Sequence, residues 1–314
     1  MQDSKMFQSL PRSVKVVEVG ARDGLQNEPT PVPTEAKVHF IEMLTDAGLP
    51  VVEATAFVSP KWVPQLADAE QVMQSLMRRA GVRYPVLVPN LKGLERALSA
   101  GVREIAVFTA ASESFCQRNL NRSIEQSLAE FEQVVREAKA AGCWARGYVS
   151  TAFVCPYEGA IAPEAVAPIV ERLLAMGVDE ISLGDTIGAA VPTQVAQLTE
   201  TLLPMLPLER FAYHFHNTYG TALANVLTAL QYGVFIFDSS AGGLGGCPFA
   251  PGASGNLATE DLLYMLHGMG IETGVDIAGV VAAARFILGQ LSRETPPSSY
   301  LRACARQECH DARD

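Results

Sequence analysis

From residue 13 to residue 237 the chain alternates, eight times over, a short run rich in β-branched residues with a helix-length amphipathic segment or a loop. No other feature restricts the fold so severely. Residues 13–20 precede 34–47, 51–57 precede 63–79, 84–88 precede 91–100, and 102–108 precede 123–141. Residues 143–152 then precede 163–176, 180–183 precede 192–203, 211–216 precede 219–231, and 234–237 run into a glycine-rich loop. Glycine stands where a helix must stop and a strand begin, at Gly48, Gly81, Gly101, Gly142, Gly177 and Gly233. Eight such units in one core predict an α/β fold, a (β/α)8 TIM barrel, with a doubly wound sheet as the competing architecture. Residues 1–12 read as a lead-in and 13–291 as the barrel with extra C-terminal helices, one over 276–291. Residues 292–314 read as a C-terminal helix and a polar tail that frays from residue 303. The extra helices would pack outside the barrel or mediate self-association.

Charge and cysteine usage narrow the function. With 24 basic against 34 acidic side chains the formal charge is −10, and no basic patch is evident. Neither nucleic acid nor an anionic membrane is then the expected partner. A small or cofactor-linked substrate is. The six cysteines form no CxxC pair in a chain of 314 residues, which excludes a zinc knuckle or disulfide framework and fits a reducing compartment. The N-terminus has no apolar signal core, and the apolar stretch 277–288 is broken by Arg285 and too short to span a bilayer. A cytoplasmic protein with no membrane partner is expected.

In a barrel, residues at the C-terminal ends of the strands carry chemistry, and several capable side chains fall there. His214-Phe-His216 places two imidazoles on one strand face, about 6.5–7 Å apart along it. They can share a metal ion, or be core histidines satisfied by hydrogen bonds. Asp23 and the amide oxygen of Asn256 would complete a ligand set of two nitrogens and two oxygens without thiolate. That set suits octahedral Mg²⁺ or Mn²⁺ better than closed tetrahedral zinc. Arg22 beside Asp23 is a surface ion pair or, if the following residues 24–27 turn the pair inward, a permanent cation able to hold an enolate oxygen. Glu53 breaks an apolar strand and needs a partner, either Arg22 or a transferable proton. Asp185 could cap a turn or act in catalysis. Residues 241–256 hold six glycines, two prolines and Cys247. The stretch reads as a mobile loop able to present a thiol as a proton donor, with a plain surface connection as the alternative.

Five segments taken together resemble the 3-hydroxy-3-methylglutaryl-CoA lyase family. They are Glu18-Val-Gly-Ala-Arg-Asp-Gly-Leu-Gln-Asn-Glu28, residues 53–64, residues 182–188, His214-Phe-His216 and residues 242–256. The likeness runs from about Val14 to Leu291. It implies a metal-dependent lyase on a TIM barrel that cleaves 3-hydroxy-3-methylglutaryl-CoA to acetyl-CoA and acetoacetate, in leucine degradation, and that forms a homodimer. It implies Asp23, His214, His216 and Asn256 as metal ligands, Arg22 as the group that stabilises the acetyl-CoA enolate, and Cys247 as the acid that protonates it. Glu53 and Asp185 match further active-site carboxylates. Arg22, Gln26, Asn119, Ser123, Tyr148 and Thr186 fall at substrate- or CoA-near positions. The base that takes the hydroxyl proton is open among Asp185, a histidine such as His214 and a metal-bound water.

Two residues depart from the family pattern. Asn217 follows the second histidine where Asp is common, removing a possible carboxylate behind the metal ligands. Thr151 stands where several members have cysteine, which bears on acyl-group specificity. Competing readings are the same cleavage on a related 3-hydroxyacyl-CoA, a Claisen-condensing synthase, and a non-catalytic binder of CoA or metal. The cysteine loop and the lack of a long regulatory domain speak against the synthase.

Overall fold

The computed structural model describes residues 9–246, 255–293 and 296–311. The strands in chain order are β1 (Lys15–Glu18), β2 (Val51–Val52), β3 (Thr55–Ala56), β4 (Val86–Leu87), β5 (Glu104–Ala110) and β6 (Trp144–Ser150). A separate hairpin of β7 (Val154–Cys155) and β8 (Gly159–Ala160) precedes β9 (Glu180–Asp185), β10 (Phe211–Phe215) and β11 (Ile236–Ser239). The large sheet is parallel, in the order β2-β1-β11-β10-β9-β6-β5-β4-β3. Its two end strands are halves of one strand, separated only by Glu53 and Ala54. The Glu53 amide donates to the Glu18 carbonyl at 2.8 Å on one side, and that of Ala54 to the Pro85 carbonyl at 2.9 Å on the other. The sheet therefore closes as a ring of eight strands, the (β/α)8 barrel that the alternation predicts.

Around it run α1 (Thr34–Asp46), α2 (Ala69–Ser75), α3 (Leu91–Ser99), α4 (Glu113–Leu120), α5 (Ile124–Ala140), α6 (Pro163–Ala175), α7 (Pro192–Leu202) and α8 (Ala222–Gln231). Then follow α9 (Thr259–Gly268), α10 (Ile277–Gln290) and α11 (Ser299–Asp311). The helix predicted over 63–79 is a single 3-10 turn, Pro64–Leu66, followed by α2, which stops where Leu76 turns extended. Helix α4 escapes the periodicity because it is one of the short ones. The Ser112 hydroxyl starts it by accepting from the Phe115 amide at 3.1 Å. The tail expected to fray from residue 303 is helical to residue 311. All six joint glycines have φ between 75° and 94°. At Gly48 the need is absolute, since a Cβ would stand 2.4 Å from the Gly274 carbonyl oxygen. Among the described residues no helix is long and apolar enough to cross a membrane.

Strand parity divides the interior from the helical shell. On β10, Phe211, Tyr213 and Phe215 point out, the last two stacked at 5.1 Å between centroids, while Ala212 and His214 point in. The barrel floor is apolar, built from Val17, Val19, Val51, Ala212 and Ile236. Above it lies a charged layer, Glu53, Arg146, Glu180 and Asp238, each at most 2% exposed. Such a layer persists only because its members pair with one another.

Two more buried carboxylates hold the turn that follows β11. Glu18 accepts from the amides of Gly20 (2.8 Å) and Ala241 (2.9 Å) and from the Thr259 hydroxyl (2.6 Å). One oxygen of Glu260 accepts from the Gly242 amide at 2.8 Å, while the other, also buried, has no hydrogen-bond partner among the described residues. Burial, only partly opposed by backbone N–H groups, pushes Glu260 up to about 8. Between its ordinary 4.5 and that value the folded chain holds a proton that the unfolded chain releases. Stability contributed by this group is thus full at low pH and falls, by about 1.4 kcal/mol per pH unit, as pH rises through the window. Glu260→Gln is expected to flatten the decline in Tm between pH 6 and pH 8 measured by calorimetry. An unchanged slope would remove Glu260 as its source.

Candidate active site

After β1 the chain makes one π-helical turn, Gly20–Gly24, in which the amides of Asp23 and Gly24 both reach the Val19 carbonyl. The inward turn expected at 24–27 thus begins four residues earlier, and residue 25 continues it helically. This wide turn carries Arg22 and Asp23 over the mouth of the barrel; π-bulges recur at functional sites. On β10 and just beyond it, His214 and His216 bring their Nε2 atoms to 3.1 Å of each other. The His214 Nε2 lies 4.0 Å from an Asp23 oxygen. The segment after the glycine loop threads back between β10 and β11, with the Leu257 amide donating to the Phe215 carbonyl at 2.9 Å and Asn256 bridged to His216. Asn256 thereby reaches Asp23, its Nδ2 donating to a carboxylate oxygen at 2.9 Å and also to the Leu244 carbonyl at 3.0 Å. A Cβ on Gly245, whose φ is 123°, would stand 2.5 Å from that Nδ2.

Ligand atoms of Asp23, His214 and His216 all lie within 4.8 Å of one another. The Asn256 Oδ1 is buried and accepts no hydrogen bond among the described residues. Burial would raise Asp23, but Arg22, the two imidazoles and Asn256 outweigh it and hold the carboxyl down at about 2. Burial, with His214 beside it, lowers His216 to about 4, so at neutral pH its ring is uncharged. An anionic oxygen, two imidazoles packed nitrogen to nitrogen and an amide oxygen lacking a donor fit a divalent cation.

A second set of contacts runs round the barrel interior. Arg22 pairs with Asp23 and Glu53, each at 2.8 Å. The Tyr148 hydroxyl donates to Glu53 at 3.2 Å and accepts from the Arg146 guanidinium at 2.7 Å. Arg146 also binds Asp238 at 2.6 Å and Glu180 at 2.8 Å. Asp238 then accepts from the Ser182 hydroxyl at 2.9 Å and stands 3.2 Å from the His214 Nδ1. Of the two choices open for Glu53, the structure shows the Arg22 partner. Ser182 opens the segment 182–188 but was given no role, and Arg146 and Asp238 were missed by motif. The signal available was the one that exposed Glu53, a charged residue interrupting an apolar strand. The Asn217 Oδ1 accepts from the Ala222 amide at 3.2 Å, and Asp238 is the carboxylate at His214.

Arg22, Asp23, Ser182, His214 and His216 line a cavity of about 580 Å³, together with Gln26, Asn119, Tyr148, Thr186 and Gly246. Ser123 does not line it; its hydroxyl caps α5, in a reciprocal box with Gln126. Asp185 is buried between two lining residues, Gly184 and Thr186, and accepts from the amides of Ala189 and Ala190, both at 3.0 Å. Burial pushes it up to about 6 against those amides. Thr151, at a φ of 52° that a β-branched residue rarely adopts, donates its amide to the Thr186 hydroxyl at 2.8 Å. Cys247 lies outside the described residues; Gly246, its neighbour in sequence, lines the cavity, and its carbonyl accepts from Asn27 at 2.9 Å.

A family model described as HMGL-like matches residues 13–287. The chain belongs to the HMGL-like family. Bovine mitochondrial hydroxymethylglutaryl-CoA lyase is 54% identical to this HMGL-like chain, covering 91% of it and 88% of the bovine protein. Rat cytoplasmic 3-hydroxy-3-methylglutaryl-CoA lyase is 53% identical, over 94% and 86%. The crystal structure of hydroxymethylglutaryl-CoA lyase from Pseudomonas aeruginosa superposes with a TM-score of 0.93 at 47% identity, covering 96% of this chain and all of that one (100%). An HMG-CoA lyase from Acinetobacter baumannii, solved with coenzyme A and 3-methylmalate, superposes with a TM-score of 0.89 at 39% identity, over 96% and 97%. The relatives' names divide between mitochondria and cytoplasm, so kinship selects no compartment.

Proposed function

We infer that this HMGL-like chain is a metal-dependent carbon–carbon lyase that cleaves 3-hydroxy-3-methylglutaryl-CoA to acetyl-CoA and acetoacetate, within leucine breakdown. The observation that carries the reading is its identity of 54% over 91% of the chain with a curated hydroxymethylglutaryl-CoA lyase. Asp23, His214, His216 and Asn256 would hold the cation, Mg²⁺ or Mn²⁺ by the chemistry of the donors. Bound there, it would act as a Lewis acid that lowers the pKa of the tertiary hydroxyl.

The chain's own residues supply the rest. Asp185, raised to about 6, sits near the working range of a general base. Its two amide bonds leave lone pairs on both oxygens for a third donor. Loss of the hydroxyl proton lets the C2–C3 electron pair pass to the thioester carbonyl, so acetoacetate leaves and the acetyl-CoA enolate remains. Arg22, fixed by Asp23 and Glu53, holds the enolate oxygen. Cys247 delivers the proton to its carbon, and Gln26, Asn119, Tyr148 and Thr186 line the path of the acyl-CoA. Self-association as a homodimer and placement in the cytoplasm belong to the same reading; sedimentation and fractionation test them.

Acetoacetate release from the methylglutaryl ester tests the reaction directly, and its absence in the presence of Mg²⁺ or Mn²⁺ would overturn the reading. Chelation is expected to abolish turnover, and either ion to restore it. His216→Ala should weaken Mn²⁺ binding by at least about 100-fold, beyond the usual effect of losing a group behind a ligand. Unchanged affinity in a titration would remove the histidine pair from the metal site.

A further inference from the structure

We propose that Asp238 is a positioning residue that fixes the tautomer and plane of His214, leaving the Nε2 lone pair aimed at the point shared with Asp23 and His216. The strand register demands the contact, because β10 and β11 pair in parallel with His214 opposite Asp238. An ionised carboxylate can only accept, so the His214 Nδ1, 3.2 Å away, must be the protonated nitrogen. In the neutral ring Nε2 is then the unprotonated nitrogen, 3.1 Å from the His216 Nε2.

Asp238 cannot rotate to abandon this role. Its Oδ1 is held by Arg146 at 2.6 Å and its Oδ2 by the Ser182 hydroxyl at 2.9 Å, and the residue is 1% exposed. Arg146 is itself completely buried and pinned on its far side by Glu180 at 2.8 Å. The carboxylate is therefore placed by three strands at once: Arg146 on β6, Ser182 on β9 and its own β11. Through Arg146 and Tyr148 the same rigid set reaches Glu53 and Arg22 on the opposite wall. One buried guanidinium thus sets the angle of a metal-facing imidazole and supports the arginine assigned to the enolate.

The proposal rests on the metal reading of the two histidines, and the two fail differently. Unchanged Mn²⁺ affinity in His216→Ala removes the metal reading; the experiments on Asp238 address only what orients His214. Nitrogen-15 chemical shifts of His214 in the metal-free protein should show the Nδ1–H tautomer, and the Nε2–H tautomer would overturn the proposal without any variant. In Asp238→Asn the Nδ1–H preference should be lost and the Kd for Mn²⁺, read by calorimetric titration, should rise about 10–100-fold. A folded Asp238→Asn protein with wild-type Mn²⁺ affinity and the Nδ1–H tautomer would show that Asp238 merely fills the interior. Asp238→Glu, which keeps the charge, should recover part of the Mn²⁺ affinity lost in Asp238→Asn, and no recovery would count against the carboxylate.

Discussion

Arg22→Gln is expected to lower kcat by about 10²–10³-fold, the effect typical of removing one donor to a developing oxyanion. The Kd for Mn²⁺ should stay within a few-fold of wild type. The two parameters separate because Arg22 touches the metal group only through Asp23, at 2.8 Å, whereas its other arm is locked to Glu53. Losing the guanidinium leaves Glu53, 0% exposed, without its counter-charge. Burial already raises its pKa, so in the variant it should take up a proton instead of remaining as a buried anion. Arg22→Lys keeps the charge but not the fork that spans Asp23 and Glu53, and should recover only part of the rate. A kcat within tenfold of wild type for Arg22→Gln would take the enolate away from Arg22.

The second large effect is expected at Cys247. Cys247→Ala should cost about 10²–10⁴ in kcat, the range of a positioned general acid, with metal affinity unchanged. Exchange of the acetyl-CoA methyl protons with deuterated water is the reverse of that protonation and should slow in parallel. Exchange at the wild-type rate would place the acid elsewhere. Gly246, the residue before Cys247 in sequence, lines the cavity.

The fold was legible because barrel units announce themselves locally, through strand and helix periods and a glycine at six of the helix-to-strand joints. The residues that cluster at the mouth were legible for a similar reason, since His214-Phe-His216 shares a strand face and Arg22-Asp23 follows a strand. The charged layer beneath them was not. Arg146, Glu180 and Asp238 meet only because β6, β9, β10 and β11 are laid next to one another, in that order, in a register that no local pattern states. The likeness of Ser123 to a CoA-contacting position was matched by an equally local signal, Ser123 with Gln126 three residues on, which is a capping box. The π-turn at Gly20–Gly24 left no periodic trace, being a single turn of rare geometry.

The Glu18 carboxylate, in grasping Gly20, Ala241 and Thr259 together, also sets a time. During synthesis the N-terminal units emerge first, and Arg22 and Asp23 are among the earliest site residues made. Their partners at the closing seam are among the last. A nascent chain halted before β11 would own half of a charged pocket and no means of shaping it. Activity should therefore switch on late and all at once, when the final strand docks against the first and the ring is shut.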